Sequence, residues 1–125
     1  MTIAEAIALT ESIRGGQQYS QELKIMWLSR LDGRVFTEIL STHEDCGIEQ
    51  FPGYDKNTPI DTELLVPHPY DAMYTHWLEA NIDYANREYD KYNNSIEMFN
   101  TDYSAYANLY NRTHMPSGGT RRFLF

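Results

Sequence analysis

The chain has a single cysteine, Cys46, among 125 residues, so it cannot close an internal disulfide. That excludes a disulfide-stapled secreted fold and makes a reducing interior the expected setting. No run approaches the roughly 18 apolar residues that read as a membrane-spanning helix. The opening "MTIAEAIALTESIRGG" lacks the basic start and continuous apolar centre of a secretory leader. Basic residues are scarce: 10 Lys and Arg stand against 18 Asp and Glu, a net charge of −8. Phosphate backbones are gripped mainly by Lys and Arg that release counterions, so this balance argues against nucleic-acid binding. Catalytic strings are missing as well. There is no HExxH, no CxxC and no glycine-rich phosphate loop. The dense cluster His43, Glu44, Asp45 and Cys46 is sequential, and the other histidines (His68, His76, His114) are scattered. It reads as a solvated acidic turn rather than a metal or thiol centre. Glu79 and Asp83, one helical turn apart, read as surface carboxylates, with Asp83 and Arg87 a helix-surface ion pair. No catalytic residue, cofactor or metal is expected, and an enzyme is not.

Tyrosine is abundant. Aromatic residues reach 14%, and ten of them are tyrosines. "PYDAMYTHWLEANIDYANREYDKYNN", Pro69 to Asn94, holds five tyrosines and a tryptophan yet is too polar to be a buried core segment.

The length fits one domain. Thr2 with Glu5 has the capping-box spacing, so a helix is expected over Thr2–Arg14, ended by Gly15-Gly16. Ile3, Ile7 and the stretch from Leu9 to Ile13 supply its apolar stripe. Ser20 is a candidate N-cap for a second helix reaching about Thr42. There Leu23, Trp27, Leu31, Val35 and Ile39 recur every four residues, widened by Met26 and Leu40. The pattern survives "DGR", so one helix crosses Gly33. From His43 to Asp61 no period persists, and with "TELLVP" the non-helical stretch covers 43–68. Phe51 and Tyr54 argue against disorder there, and "TELLVP" is extended in character. Pro69 suits the first turn of a third helix, with Asp71 near its positive end. Met73, Trp77, Ala80 and Tyr84 trace its core face. "NNS" at Asn93–Ser95 marks the expected break before a fourth helix carrying Ile96, Phe99, Tyr103, Tyr106 and Tyr110. The fold class is therefore mainly α: a bundle of four helices over 1–115, a long irregular loop, and a tail over 116–125 with "PSGG" as a flexible linker.

Tyrosines can line a core rim, but eight between Tyr70 and Tyr110 spread around more than one helical face. Tyr and Trp are enriched at protein interfaces because they bury much area and keep a polar tip. The interface candidates are Tyr74, Tyr89, Tyr92, Tyr103 and Tyr106 on the helices, with Phe51 and Tyr54 in the loop. Arg121, Arg122, Phe123, Leu124 and Phe125 read as a docking peptide after the glycine hinge.

"YSQELKIMWLSRLDGRVFTEIL", "DTELLVPHPYDAMYTHWLEANIDYANREYDKYNNSIEMFN" and "YNRTHMP" together resemble a small protein of prophages and tailed phages of Gram-positive bacteria. It is similar to the head–tail connector, adaptor or DNA-packaging (head-completion) proteins. The similarity runs from about Tyr19 to Pro116. It implies a mostly helical subunit forming a ring, commonly dodecameric, beneath the portal. Such a ring extends the DNA channel, which DNA crosses without specific binding, and offers a platform to the next neck protein. It implies no enzyme, a place at the virion's head–tail junction, and host cytoplasm during assembly. The partners implied are copies of itself, the portal and the next neck or tail protein, with no membrane. The parts that would reach neighbours are the His43–Asp61 loop and the Thr120–Phe125 tail. The chain departs from that pattern in having no basic patch and a longer loop. The alternative is a small helical protein–protein interaction module of a prophage, outside the virion neck.

Overall fold

A computed structural model describes residues 1–15, 19–43 and 47–114. Its elements are α1 (Ile3–Arg14), α2 (Gln21–Glu38) continued by a 3-10 turn (Leu40–Thr42), α3 (Ala72–Ala85) and α4 (Tyr89–Thr113). The fold is mainly helical, and no strand forms among the described residues.

Local chemistry sets the first two helices. Thr2 Oγ1 accepts from the Glu5 N–H at 3.1 Å, and Glu5 Oε1 accepts from the Thr2 N–H at 2.8 Å, closing the capping box. Gly15 ends α1 in the left-handed region (φ 71°), its N–H reaching Glu11 O. Ser20 Oγ caps α2 by accepting from the Leu23 N–H. Gly33 sits inside α2 as expected. The expected apolar stripes need correction at three places. Leu9, Ile13 and Met26 are exposed, while Ile25 and Leu28 are buried.

The described part of the long connection between α2 and α3, from Gly47 on, is held down at several points. Its start covers the Gly33 face of α2, where Phe51 stacks on Phe36. Gly53 adopts φ 88°, and a Cβ there would stand 3.0 Å from Ser29 Oγ, which itself accepts from the Tyr54 N–H. Only glycine meets both demands. Further on, the carbonyls of Ile60 and Thr62 accept from the Ala4 and Ile3 N–H groups. These are first-turn donors that α1 cannot satisfy internally. Leu64 N–H returns to Met1 O, and Thr2 and Glu63 form an antiparallel bridge. The extended character of "TELLVP" thus completes the start of α1.

The break between α3 and α4 falls at Asn86–Glu88, not at Asn93–Ser95. Arg87 is left-handed (φ 61°). Its N–H reaches Tyr84 O, and the Glu88 N–H reaches Asp83 O. This is the paired hydrogen-bond pattern of a Schellman stop, built here without glycine. Asn93–Ser95 lies inside α4, which runs unbroken for 25 residues. The two helices form a hairpin, and α2 and α1 pack on α3. The core joins Leu28, Leu31 and Val35 of α2 with Met73 and Leu78 of α3 and Phe99 of α4.

Two substitutions test the backbone account. Arg87→Gly relieves a left-handed non-glycine residue and should raise unfolding free energy by up to about 1 kcal/mol. Gly33→Ala should stabilise by a similar amount, roughly 1 kcal/mol, because its Cβ would meet Phe51 at an ordinary 4.0 Å. Urea titration reads both.

Candidate functional site

The expected interface tyrosines divide into three groups. Tyr74 and Tyr106 are core residues, 0% and 3% exposed, and do not form an interface. Tyr74 is oriented by a buried carboxylate. Its hydroxyl donates to Asp32 Oδ1 at 2.6 Å and accepts from the Val66 N–H at 2.8 Å. Asp32 Oδ2 accepts from the Tyr54 hydroxyl at 2.5 Å and the Leu65 N–H at 3.1 Å. Tyr106 fills the space between Tyr70 and Tyr110.

A second group joins elements together. Tyr54 is half-buried and held by Asp32, and Phe51 packs edge-on against it, so both loop aromatics fasten the loop to α2 instead of facing outward. Tyr103 ties α4 to α2. Its hydroxyl donates to Glu38 Oε1 at 2.5 Å, and the Arg34 guanidinium lies over its ring.

The third group faces solvent. Tyr89 is 54% exposed, and Tyr84, placed on the core face by its spacing, is 60% exposed. Both meet near the hairpin turn with Tyr92, the Tyr84 ring standing 5.9 Å from Tyr89 and 5.4 Å from Tyr92. Tyr84 and Tyr92 also line a groove between α3 and α4 of about 340 Å³, floored by Trp77, Ala80 and Ile96. Arg87, Glu88, Asp90 and Lys91 surround the neighbouring turn. Apolar aromatic ground beside a charged border is the anatomy of a protein-binding patch. Sequence spacing missed Tyr84 because the helix ends one residue later, where α4 turns back and leaves that side uncovered. Arg121–Phe125 and Cys46 lie outside the described residues.

The buried charges face one another. Asp83 is fully buried, and both its oxygens bind the Arg14 guanidinium at 2.7 Å, with Ser95 adding a bond to Oδ2. Its partner is thus Arg14, not Arg87, and Glu79 takes Arg14 Nε. Lys24, 1% exposed, bonds Glu11. His76 Nδ1 stands 2.6 Å from Asp102 across the hairpin. His43 Nδ1 lies 2.7 Å from Ile39 O, so it donates to that carbonyl. Among the described residues no group of three His, Cys, Asp or Glu side chains is placed to hold a metal ion, and no helix is long and apolar enough to cross a membrane.

Burial leads the pKa changes of the inward tyrosines and of Asp32. It raises Tyr54 and Tyr74, with the Asp32 charge adding to the effect. It raises Tyr103, with Glu38 adding, and pushes Tyr106 up to about 12. Burial also raises Asp32, against the lowering effect of its three donors. Comparisons with protein-family models, with curated proteins and with solved structures give no match.

Two measurements separate core from surface tyrosines. Tyr74→Phe leaves the Val66 N–H and one Asp32 oxygen short of a partner and should cost about 1–3 kcal/mol, whereas Tyr89→Phe should change denaturant stability by less than about 0.5 kcal/mol. The pH effect has a definite sign. Phenols whose folded pKa is raised contribute stability that is complete below the unfolded value of about 10 and is lost as pH climbs through the folded values. The melting temperature should therefore hold from neutral pH to about 9 and fall beyond about 10.

Proposed function

We propose that the protein is a non-catalytic assembly subunit of a tailed-phage neck, a head–tail connector that joins copies of itself into a ring beneath the portal. The observation that carries this reading is the pair of exposed rings Tyr84 and Tyr89, packed with the half-buried Tyr92 beside the α3–α4 groove. Large rings that neither fill the core nor fasten a loop are best accounted for by a covering partner. A patch of this kind on one subunit meeting a different surface on the next closes into a ring when the rotation allows it.

Other features support the reading. The sequence strings from Tyr19 to Pro116 resemble that family. The described buried titratable groups are engaged with each other or with backbone, rather than converging on an open cleft. An excess of acidic residues repels DNA and suits a channel through which DNA must slide. In this reading the protein resides at the head–tail junction of the virion, and its partners are its own copies, the portal and the next neck protein.

The test is assembly. Mass photometry and negative-stain microscopy of the purified protein, alone and with the portal of the same phage, should give rings in at least one condition. Tyr84→Ser with Tyr89→Ser should abolish them while leaving the melting temperature within a few degrees, since both side chains are mostly solvated. A chain that stays monomeric in both conditions, or rings indifferent to that double substitution, would overturn the proposal.

A further inference from the structure

Two uncharged surfaces lie on opposite flanks of α3. One is the α3–α4 groove of Trp77, Ala80, Asn81, Tyr84, Tyr92 and Ile96. The other is the outer side of α1, where Leu9 and Ile13 are exposed one helical turn apart, next to the exposed Ala8 and Ser12. The opposite side of that helix, with Ile3, Ala6 and Ile7, is packed in the core. A helix that is apolar on both sides is ordinarily buried on both, and the described residues cover one side of α1 only.

We infer that the Leu9–Ile13 ridge of one copy seats in the α3–α4 groove of the next, joining the chain to itself head to tail. The inference rests on the self-assembly proposed above and names the second of its two surfaces. Three observations carry it. The first is direction. Arg14, at the end of α1, bonds Glu79 and Asp83. Glu79 lies two residues beyond Trp77, about 200° around the helix, so α1 and the groove take opposite sides of α3. Two unlike surfaces so placed cannot meet within one molecule, and contact between copies closes by repeated rotation.

The second is level. Met1 N lies 3.8 Å from Asp71 at the start of α3, and Arg14 reaches Asp83 near its end. The two helices thus run side by side in the same direction, and Leu9 and Ile13 stand level with the second half of α3. The groove, from Trp77 to Tyr84, occupies that level. A rotation about an axis along the helices, with no rise, therefore carries ridge to groove and gives a closed ring instead of a filament.

The third is charge. Copies of a chain with net charge −8 repel one another. Neither the ridge nor the groove carries a charged side chain, so a contact there sets no acidic groups face to face. At the hairpin turn Lys91 is paired with Glu88, while Arg87 is exposed and has no ion-pair partner among the described residues. α1 ends near the same level, where the helix dipole places partial negative charge. Ridge in groove thus brings the Arg87 cation of one copy towards the C-terminal end of α1 of the next. An apolar helix ridge laid in an aromatic groove is also a recurring mode of recognition.

Mixing two blocked variants tests the contact. Leu9→Arg with Ile13→Arg removes the ridge, and Tyr84→Ser with Tyr89→Ser removes the outer wall of the groove. All four side chains are exposed, so both variants should melt within a few degrees of the unaltered chain. Each alone should be monomeric by native mass spectrometry in the condition where the unaltered chain forms rings. Mixed in that condition they should give one-to-one pairs and no ring, because each keeps the surface that the other lacks. Rings from the ridge variant alone, or a mixture that stays monomeric, would overturn the inference and leave the neck reading to its own test. An unaltered chain that forms no ring in any condition would overturn both.

Discussion

The Asp32 carboxylate takes hydrogen bonds from three separate parts of the chain: the Tyr54 hydroxyl, the Leu65 N–H and the Tyr74 hydroxyl. It sits on α2 with no solvent exposure. A buried carboxylate is costly unless its lone pairs are met, and here they are met by two points of the long connection and by α3. The arrangement fixes more than Asp32 itself. Tyr54 lies near the middle of the irregular connection and Leu65 towards its end, so one side chain holds two points of it against α2. Tyr74 passes the constraint on by accepting from the Val66 N–H. Without that anchor the loop would lose the register that brings Ile60 and Thr62 to the first turn of α1.

Charged pairs orient the remaining helices. Arg14, at the end of α1, engages Asp83 and Glu79 of α3, and Asp83 also accepts from Ser95 of α4. Three helices therefore meet at one fully buried carboxylate. Its hydrogen-bond pairing raises the Arg14 pKa, with Asp83 the leading cause. Lys24 and Glu11 make the corresponding link between α2 and α1. Apolar burial is non-directional and would tolerate helices sliding along each other, whereas a bidentate guanidinium pair tolerates little. The bundle thus draws its cohesion from the apolar core and its helix alignment from a few ionic contacts.

This division of labour explains where tyrosine goes. Tyr54, Tyr74 and Tyr103 each reach a carboxylate with the hydroxyl while the ring packs against protein. They act as long polar pins, a role that phenylalanine could not fill. Tyr84 and Tyr89 instead pack edge-on against one another by the hairpin turn. The surplus of tyrosine has two origins, then, internal fastening and an outward patch.

Not all of these features were legible in the residues alone. Asp32 and Lys24 stand in step with Leu28, Leu31 and Val35 but outside the spacing Leu23, Trp27, Leu31, Val35 and Ile39, so the buried carboxylate was not read from the residues alone. Its partners were not either, because they lie from 22 to 42 residues away. The α3–α4 break escaped notice because Arg87 adopts a left-handed conformation that usually marks itself with glycine or asparagine. "NNS" drew attention as a polar cluster, yet on a long exposed helix face polar residues are ordinary.

The helical class, the limits of α1 and the start of α2 were determined by sequence on its own, because caps and stops act over three or four residues. Which tyrosines face inward, which carboxylates are buried and how the irregular connection lies were decided only by tertiary structure. Helical periodicity names a face of each helix, but whether that face is covered depends on what the rest of the chain brings against it.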